Sequence, residues 1–520
     1  MSGSRTTPPD AAHRALALEL DAALTNDPLV DELAFVPSAT PADLFGSNAR
    51  THPPGAVVSA AVPGAFLLVE HKLAVAVSAL APLHAFAREA LRRADAADRS
   101  ERAENPDRGE REDEEGRGAR DVGVDPDTRA DALRLLLLVN GDHGTAWNRR
   151  KRRLIAKCAA ADADRLDASA SASATGKKSA LVSAELAFCA LALSRFSKAQ
   201  AAWAHRRWVM CALDGAATSP SRVVLSQARF ASESEVAAAA CARKRLNYAA
   251  WAHRRWCALG RRGGALAARG ALTEADPSSE EDPTDTRGFV ADRLLDEELE
   301  RTKRFVRVNV SDYCGLHYRQ AVLTRRAMGA APRDVLADEA ELASSLIARY
   351  PGREALWAHR RFVFDARLRR DEPKAETETG AFAAALLAEE LAFAEARARA
   401  AGGKKTRRDG DDATDNATPT EPRDPDPDPS ILHPSWAEHP AAEQARFAAA
   451  HALWALEAAR RAGARGAVGS EGAARRAAAA EALAAAWPWG AAATRGMRRA
   501  RVGGGSYGGD SGTPSRWRSI

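Results

Sequence analysis

Aromatic side chains are scarce in this chain: 6% of 520 residues, with only five tyrosines, and four methionines besides. A core so poor in rings must be filled by aliphatic side chains, and alanine supplies much of the 45% hydrophobic content. Alanine is the best helix former, and Gly and Pro collect in separate stretches, which predicts a mainly α-helical chain. Charge of one sign is also lacking. The 75 basic and 70 acidic residues leave a net charge of +5, too small an excess to demand a nucleic-acid or acidic-substrate partner. The six cysteines (Cys158, Cys189, Cys211, Cys241, Cys257 and Cys314) include no Cys-x-x-Cys pair. That argues against a disulfide framework or a zinc site and for free thiols in a reducing compartment. No run approaches the ~18 apolar residues of a membrane span. Met1–Arg5 shows no apolar signal core, and Arg516–Ile520 offers no cysteine for prenylation, so a cytoplasmic chain without an anchor is expected.

What the chain does have is a recurring motif rich in Trp, His and Arg. Asn247-Tyr248-Ala249-Ala250-Trp251-Ala252-His253-Arg254-Arg255-Trp256 is its fullest copy. Trp203-Ala204-His205-Arg206-Arg207-Trp208 precedes it and Trp357-Ala358-His359-Arg360-Arg361-Phe362 follows. Trp147-Asn148-Arg149-Arg150 is a weaker first copy, and Leu316-His317-Tyr318-Arg319 a degenerate fourth. A large apolar residue and an arginine three positions on thus recur at 147/150, 203/206, 251/254, 316/319 and 357/360. Fixed recurrence of this kind marks a stacked array of helical hairpins.

The chain divides accordingly. Residues 1–14 read as a disordered leader and 15–94 as an N-terminal helical region, in which 66–93 is expected to form one long helix. Residues 95–130 are a charged insertion that cannot bury enough apolar surface to order itself. Residues 131–400 hold five hairpins, with an insertion at 260–285. Their helices are expected at 133–139 and 145–156, 181–196 and 201–213, 233–245 and 248–259, 289–305 and 314–328, and 335–350 and 354–369. A Pro-rich linker spans 401–435. The remainder, 436–520, is expected to hold a capping helix over 441–461 and a low-complexity tail.

On a helix, positions i and i+3 share a face. Trp147 and Arg150, Trp203 and Arg206, Trp251 and Arg254, Leu316 and Arg319, and Trp357 and Arg360 therefore project together. The structural account is that each indole fills the gap between hairpins while the guanidinium bonds a carboxylate or carbonyl of the adjacent one. Glu185, Glu233, Glu298 and Glu341 are the candidate acids. His205, His253 and His359 recur at one repeat position, too far apart along an array to share a metal, so no metal site is expected. A basic stripe interleaved with aromatics also fits clamping of single-stranded RNA, but the small basic excess argues against it.

The pattern Asn-Tyr-x-x-Trp-x-x-Arg resembles the prenyltransferase α-subunit repeat, and Asn247, Tyr248, Trp251 and Arg254 match each of its positions. The resemblance covers residues 15–400. It implies an all-α fold, a right-handed α-α superhelix of hairpins shaped as a crescent around a β-subunit. It also implies the non-zinc subunit of a protein prenyltransferase, inactive alone and of the geranylgeranyl-transferring type. The expected partner is a β-subunit of the Rab geranylgeranyltransferase type, which holds the zinc and shares the prenyl diphosphate. The substrates are then proteins ending in a cysteine motif. Farnesyltransferase-type relatives carry a lysine just before Asn-Tyr in the third repeat. Here that position is Leu246, and the second repeat has Lys198 in the matching slot, so Lys198 is the candidate catalytic residue. Arg245, Asn247, Tyr248, His317 and Tyr318 are expected to face substrate or β-subunit. No cofactor, nucleic acid or membrane span is expected on this chain. The alternatives are a non-enzymatic helical scaffold and, behind it, an RNA-binding repeat protein.

Overall fold

The N-terminal region departs from a purely helical chain. The computed structural model describes residues 11–46, 51–104, 130–163, 171–213, 217–219, 222–223, 225, 227–259, 286–327, 335–370, 376–402 and 440–461. Residues 11–14 of the expected disordered leader and 95–104 of the expected charged insertion (95–130) are helical instead, while 1–10, 105–129, the 260–285 insertion, 403–435 of the expected linker (401–435) and 462–520 lie outside these residues. The chain forms two compact bodies, residues 1–295 and 296–520.

The first body opens with α1 (Ala11–Asn26), β1 (Glu32–Val36), the short α2 (Pro41–Phe45), β2 (Val57–Val58), β3 (Phe66–Val69) and β4 (Lys72–Ala76). The strands form one sheet in the order β1-β4-β3-β2, with β1 parallel to β4 and the other pairs antiparallel. Residues 66–93 are therefore not one helix. The chain reverses at Glu70 and His71, whose φ values of 48° and 63° are the two positive angles a tight two-residue hairpin requires. Only at Val77 does α3 (Val77–Glu104) begin. Phe66, Leu67, Leu68, Leu73 and Val75 are all buried. A short run apolar on both faces looks the same as a buried helix, and its period cannot separate the two.

Three hairpins follow: α4 (Ala132–Val139) with α5 (Gly144–Ala163), α6 (Ser171–Arg195) with α7 (Gln200–Ala212), and α8 (Gln227–Arg243) with α9 (Tyr248–Leu259). A small ribbon, β5 (Ala217–Ser219) and β6 (Arg222–Val223), lies between α7 and α8. The sheet is tied to the hairpins at the end of α6. There the Leu33 amide donates to Ser194 Oγ at 2.9 Å, and the Arg195 guanidinium lies 4.4 Å from the Phe35 ring centroid. Consecutive turns interlock as well. A Cβ at Gly141 would meet the Phe196 ring at 2.5 Å, and Asp142 Oδ1 accepts from the Ala201 amide at 2.8 Å, supplying an N-terminal cap that Ala199 lacks.

The helix α10 (Thr286–Val308) enters the second body at Asp296. With it come α11 (Tyr313–Ala327), α12 (Val335–Arg349), α13 (Glu354–Arg370), α14 (Glu376–Gly402) and α15 (Pro440–Arg461). The expected capping helix is α15, and it does more than cap. Its Phe447, Ala448, Leu456 and Ala459 join Trp357, Phe364, Leu386, Leu387 and Leu391 in one core. Together α14 and α15 make a further hairpin, beyond the five counted by the motif. No described helix is long and apolar enough to cross a membrane.

Candidate functional site

The motif's side chains meet at the junctions between hairpins. The Nε and Nη2 of Arg150 donate to the two oxygens of Glu185 on α6, at 2.9 and 2.6 Å. Arg206 does the same to Glu233 on α8 at 2.6 and 2.8 Å, Arg319 to Glu339 on α12 at 2.7 and 2.6 Å, and Arg360 to Glu390 on α14 at 2.7 and 3.0 Å. In each case an arginine on the second helix of one hairpin grips a carboxylate on the first helix of the next. The remaining guanidinium nitrogen turns back to its own hairpin: Arg206 to the Leu186 carbonyl, Arg319 to that of Leu299, Arg360 to that of Ala340. The acid matched to Arg319 is Glu339, not the expected Glu341. Residues two apart point to opposite sides of a helix, and Glu341 is on the exposed one.

The same carboxylates receive the recurring histidines. His205 Nε2 donates to Glu185 at 2.8 Å, His253 to Glu233 at 2.9 Å, and His359 to Glu339 at 2.6 Å. His451 on α15 donates to Glu390 at 2.8 Å, which gives the α14–α15 hairpin the same clamp. Each glutamate thus ties an arginine from the preceding hairpin to a histidine of its own. The imidazoles also stack on the preceding tryptophan. Ring centroids are 4.6 Å apart for Trp147–His205, 4.7 Å for Trp203–His253 and 5.3 Å for Trp357–His451. Burial works to raise the Glu185 and Glu233 pKa values, but the facing arginine charge and the histidine hydrogen bond outweigh it and bring both to about 2. Burial lowers the pKa values of His205, His253 and His451 against the pull of those carboxylates. Their Nδ1 atoms are buried with no hydrogen-bond partner, so a second ring proton would have nothing to bond.

Two of the indole N–H groups bond turn backbone, Trp147 to the Gly141 carbonyl and Trp203 to that of Ser197, both at 2.9 Å. All ten Trp, Leu and Arg residues singled out by the motif are buried. The ends of the array depart from the pattern. In the first hairpin Arg149 takes the histidine slot and grips Asp95 of α3, both contacts at 2.9 Å. Aligned on His451, α15 has Ala449 in the tryptophan slot and Ala452 in the arginine slot, so it receives a clamp and extends none.

Two triads, Glu185–Cys189–His205 and Glu233–His253–Cys257, bring ligand-type atoms within 4.8 Å of one another. The donor chemistry does not fit a metal ion. Both oxygens of each glutamate are bonded to a guanidinium, which would repel a cation. Burial pushes the thiols of Cys189 and Cys257 far up, away from the thiolate a metal needs.

The residues expected to face a substrate or partner separate into two groups. Asn247 is 0% exposed and Tyr318 2%, so neither side chain is presented to another molecule. Asn247 Nδ2 donates to the Ser197 carbonyl at 2.8 Å, and its Oδ1 caps α9 at the Ala250 amide. Tyr318 fills the slot that histidine holds elsewhere, inside the packing. Lys198, Arg245, Tyr248 and His317 are exposed. The Asn247–Ser197 bond sets the turn carrying Arg245, Leu246 and Tyr248 against the turn carrying Lys198. Tyr248 is 66% exposed, and Leu246 is 40% exposed at φ 52°, a left-handed angle that costs a branched residue about 1–2 kcal/mol. Sequence reasoning missed Glu339, Glu390 and His451. The signal for the last was a bare histidine three residues before Trp454, without its Trp and Arg neighbours.

Comparison with known proteins agrees with this architecture. The model of the protein prenyltransferase alpha subunit repeat matches residues 182–213 and 295–326, most of the second hairpin and most of the fourth. The chain is 28% identical over 276 residues to protein prenyltransferase alpha subunit repeat-containing protein 1 of Danio rerio, covering 46% of this chain and 55% of that protein. It is 27% identical over 280 residues to the protein of the same name in Homo sapiens, covering 46% and 59%. The chain thus spans little more than half the length of the curated relatives it matches. In its two matched repeats, its relatives and its mostly helical hairpins, the chain is similar to proteins that carry the protein prenyltransferase alpha subunit repeat.

Proposed function

We propose that this chain is the α-type, non-zinc subunit of a heterodimeric protein prenyltransferase that transfers a geranylgeranyl group to a cysteine of its protein substrates. The observation that carries the reading is the division of labour within the motif. The Trp, His and inner Arg side chains are consumed in holding hairpins together, while Leu246 and Tyr248 stand out in solvent beside Lys198 and Arg245. A strained, exposed apolar residue persists when something outside the fold makes use of it, and a β-subunit is the partner that the family suggests. In such a pair the zinc and the thiolate it activates belong to the β-subunit. Lys198 and Arg245 then offset negative charge developing on the leaving diphosphate.

Leu246 also favours a second reading, a scaffold without enzymatic activity, because it occupies the position where the farnesyltransferase pattern has a lysine. One experiment separates the two. The full chain is co-expressed with a β-subunit of the Rab geranylgeranyltransferase type, and complex formation and transfer from geranylgeranyl diphosphate to a cysteine-terminated protein are measured. Expected is a stable dimer, transfer that needs both chains, and a loss of about 10-fold or more in kcat for Lys198→Ala with dimerisation intact. A dimer without transfer supports the scaffold, and a chain that stays monomeric with every β-subunit of its host refutes both forms of the pairing.

A further inference from the structure

The inner arginines Arg150, Arg206, Arg319 and Arg360 are each matched to a glutamate, but two of the outer ones are not. Arg207 and Arg255 follow Arg206 and Arg254, and among the described residues neither makes an ion pair or a hydrogen bond. Burial lowers the Arg207 pKa, and the ionisable groups facing it among the described residues are the thiols of Cys257 and Cys211 and the His253 imidazole, with no carboxylate among them. Lys151 holds the same slot in the first hairpin, where it lies 5.5 Å from the Trp208 ring centroid. The helices themselves explain the lack of partners. There is no acidic residue in α7 or α9. The single acid of α5 is Asp162, in its last turn, where Lys178 engages it at 2.7 Å. Around these cations lie Ala204 and Ala252, the half-buried rings of Trp208 and Trp256, and the half-exposed Ile155.

We propose that the solvent-facing side of α5, α7 and α9, with Lys151, Arg207 and Arg255 interleaved among Trp208 and Trp256, is a docking surface for a folded protein whose contacting face presents carboxylates. Charge complementarity selects that occupant, since among the described residues these three helices carry no acid but Asp162, which Lys178 engages. Tryptophan and arginine are the side chains that carry most binding energy at protein interfaces. A half-buried guanidinium without a partner has already lost part of its hydration, so pairing it costs less than pairing one freely solvated. A nucleic-acid strand would supply negative charge too, but it binds such stripes by stacking bases on open ring faces. Here the Trp208 ring has His205 against it at 5.6 Å and Lys151 at 5.5 Å, which leaves no platform.

The inference rests on the proposed prenyltransferase pairing, whose β-subunit then meets this face through acidic residues. The test uses the full chain and a purified β-subunit of the Rab geranylgeranyltransferase type, and compares dissociation constants at low and physiological salt. The double variant Arg207→Glu, Arg255→Glu is expected to bind at least about 10-fold more weakly, with a matching loss of salt sensitivity. The pair Arg207→Met, Arg255→Gln removes the charge without placing an anion in a half-buried site and should weaken binding by a smaller factor while unfolding at the wild-type temperature. A wild-type dimer that both variants form within 2-fold of the same affinity would overturn the docking surface and leave the pairing intact. If the wild-type chain forms no dimer, the pairing itself has failed and this surface with it. Retention of a single-stranded uridine oligomer that the double variant abolishes, with β-subunit binding unchanged, would reassign the face to nucleic acid.

Discussion

At the scale of single residues, the glutamates decide most. Glu233 is fully buried, and its two oxygens satisfy Arg206 on one side and His253 on the other. Neither partner has an alternative acid in reach. Glu233→Ala would strand a buried guanidinium and is expected to cost about 3–5 kcal/mol, because removing one member of a buried pair leaves an uncompensated charge. Urea unfolding of the purified chain measures it. A loss under about 1 kcal/mol would mean that water or another acid reaches Arg206 and that the clamp is not what holds the junction. The outer arginines Arg207 and Arg255 are less buried than Arg206 and Arg254, and among the described residues no ion pair matches their charge, which leaves it available for a partner.

At the scale of elements, α15 is the test of how the second body is completed. Its His451 reproduces the clamp on Glu390, and Gln444 Oε1 accepts from the Gly352 amide at 2.9 Å and from Trp357 Nε1 at 3.3 Å. Gln444 thus serves the fifth turn much as Asn247 serves the second, where it bonds the Ser197 carbonyl. Ending the chain after residue 439 would uncover Trp357, Phe364, Leu386 and Leu387. Losing the burial of Phe447, Leu456 and Trp454 alone removes about 5 kcal/mol or more, at roughly 1.5–3 kcal/mol for each large apolar side chain. The truncated chain is expected to show a red-shifted tryptophan emission and rapid proteolysis within 296–402. An unchanged melting curve would return α15 to the role of a dispensable cap.

At the scale of the whole molecule, the repeated clamp makes stability depend on pH in two steps. His205, His253 and His451 have pKa values below the ordinary 6.5 in the folded chain. The unfolded chain therefore binds more protons as pH falls below 6.5, and stability declines from there. Glu185, Glu233 and Glu339 are held near pKa 2 against an ordinary 4.5. Their contribution is present above 4.5 and is lost as pH falls from there toward 2. Thermal unfolding followed from pH 8 to 3 should show a first decline near pH 6 and a steeper one below pH 4.5. A melting temperature flat down to pH 5 would show that the buried imidazoles find an acceptor for a second proton.

Much of this organisation was legible in the chain itself. The spacing of Trp and Arg pointed to five hairpins and placed most helix bounds within a few residues, because packing one hairpin on the next demands the same side chains at the same height each time. The ends away from the motif missed by more, with α6 beginning at Ser171 rather than 181 and α5 running on to Ala163 rather than 156. The buried fate of those residues followed from their repetition. Other features had no local signature. The strands at 66–76 read as a helix because both faces are buried, and only the pairing with β1 and β2 distinguishes them. The choice of Glu339 over Glu341 depends on which side of α12 faces Arg319, a rotation that two neighbouring acids leave open. The α14–α15 hairpin keeps His451 and Trp454 but has alanine in the Trp and Arg slots, and its membership shows only once Glu390 stands against His451 and Arg360. Sequence determined the repeating unit, since it is set by contacts within and between adjacent helices. Tertiary structure decided which charges are satisfied and which are left for a partner, since that depends on what lies across each helix face.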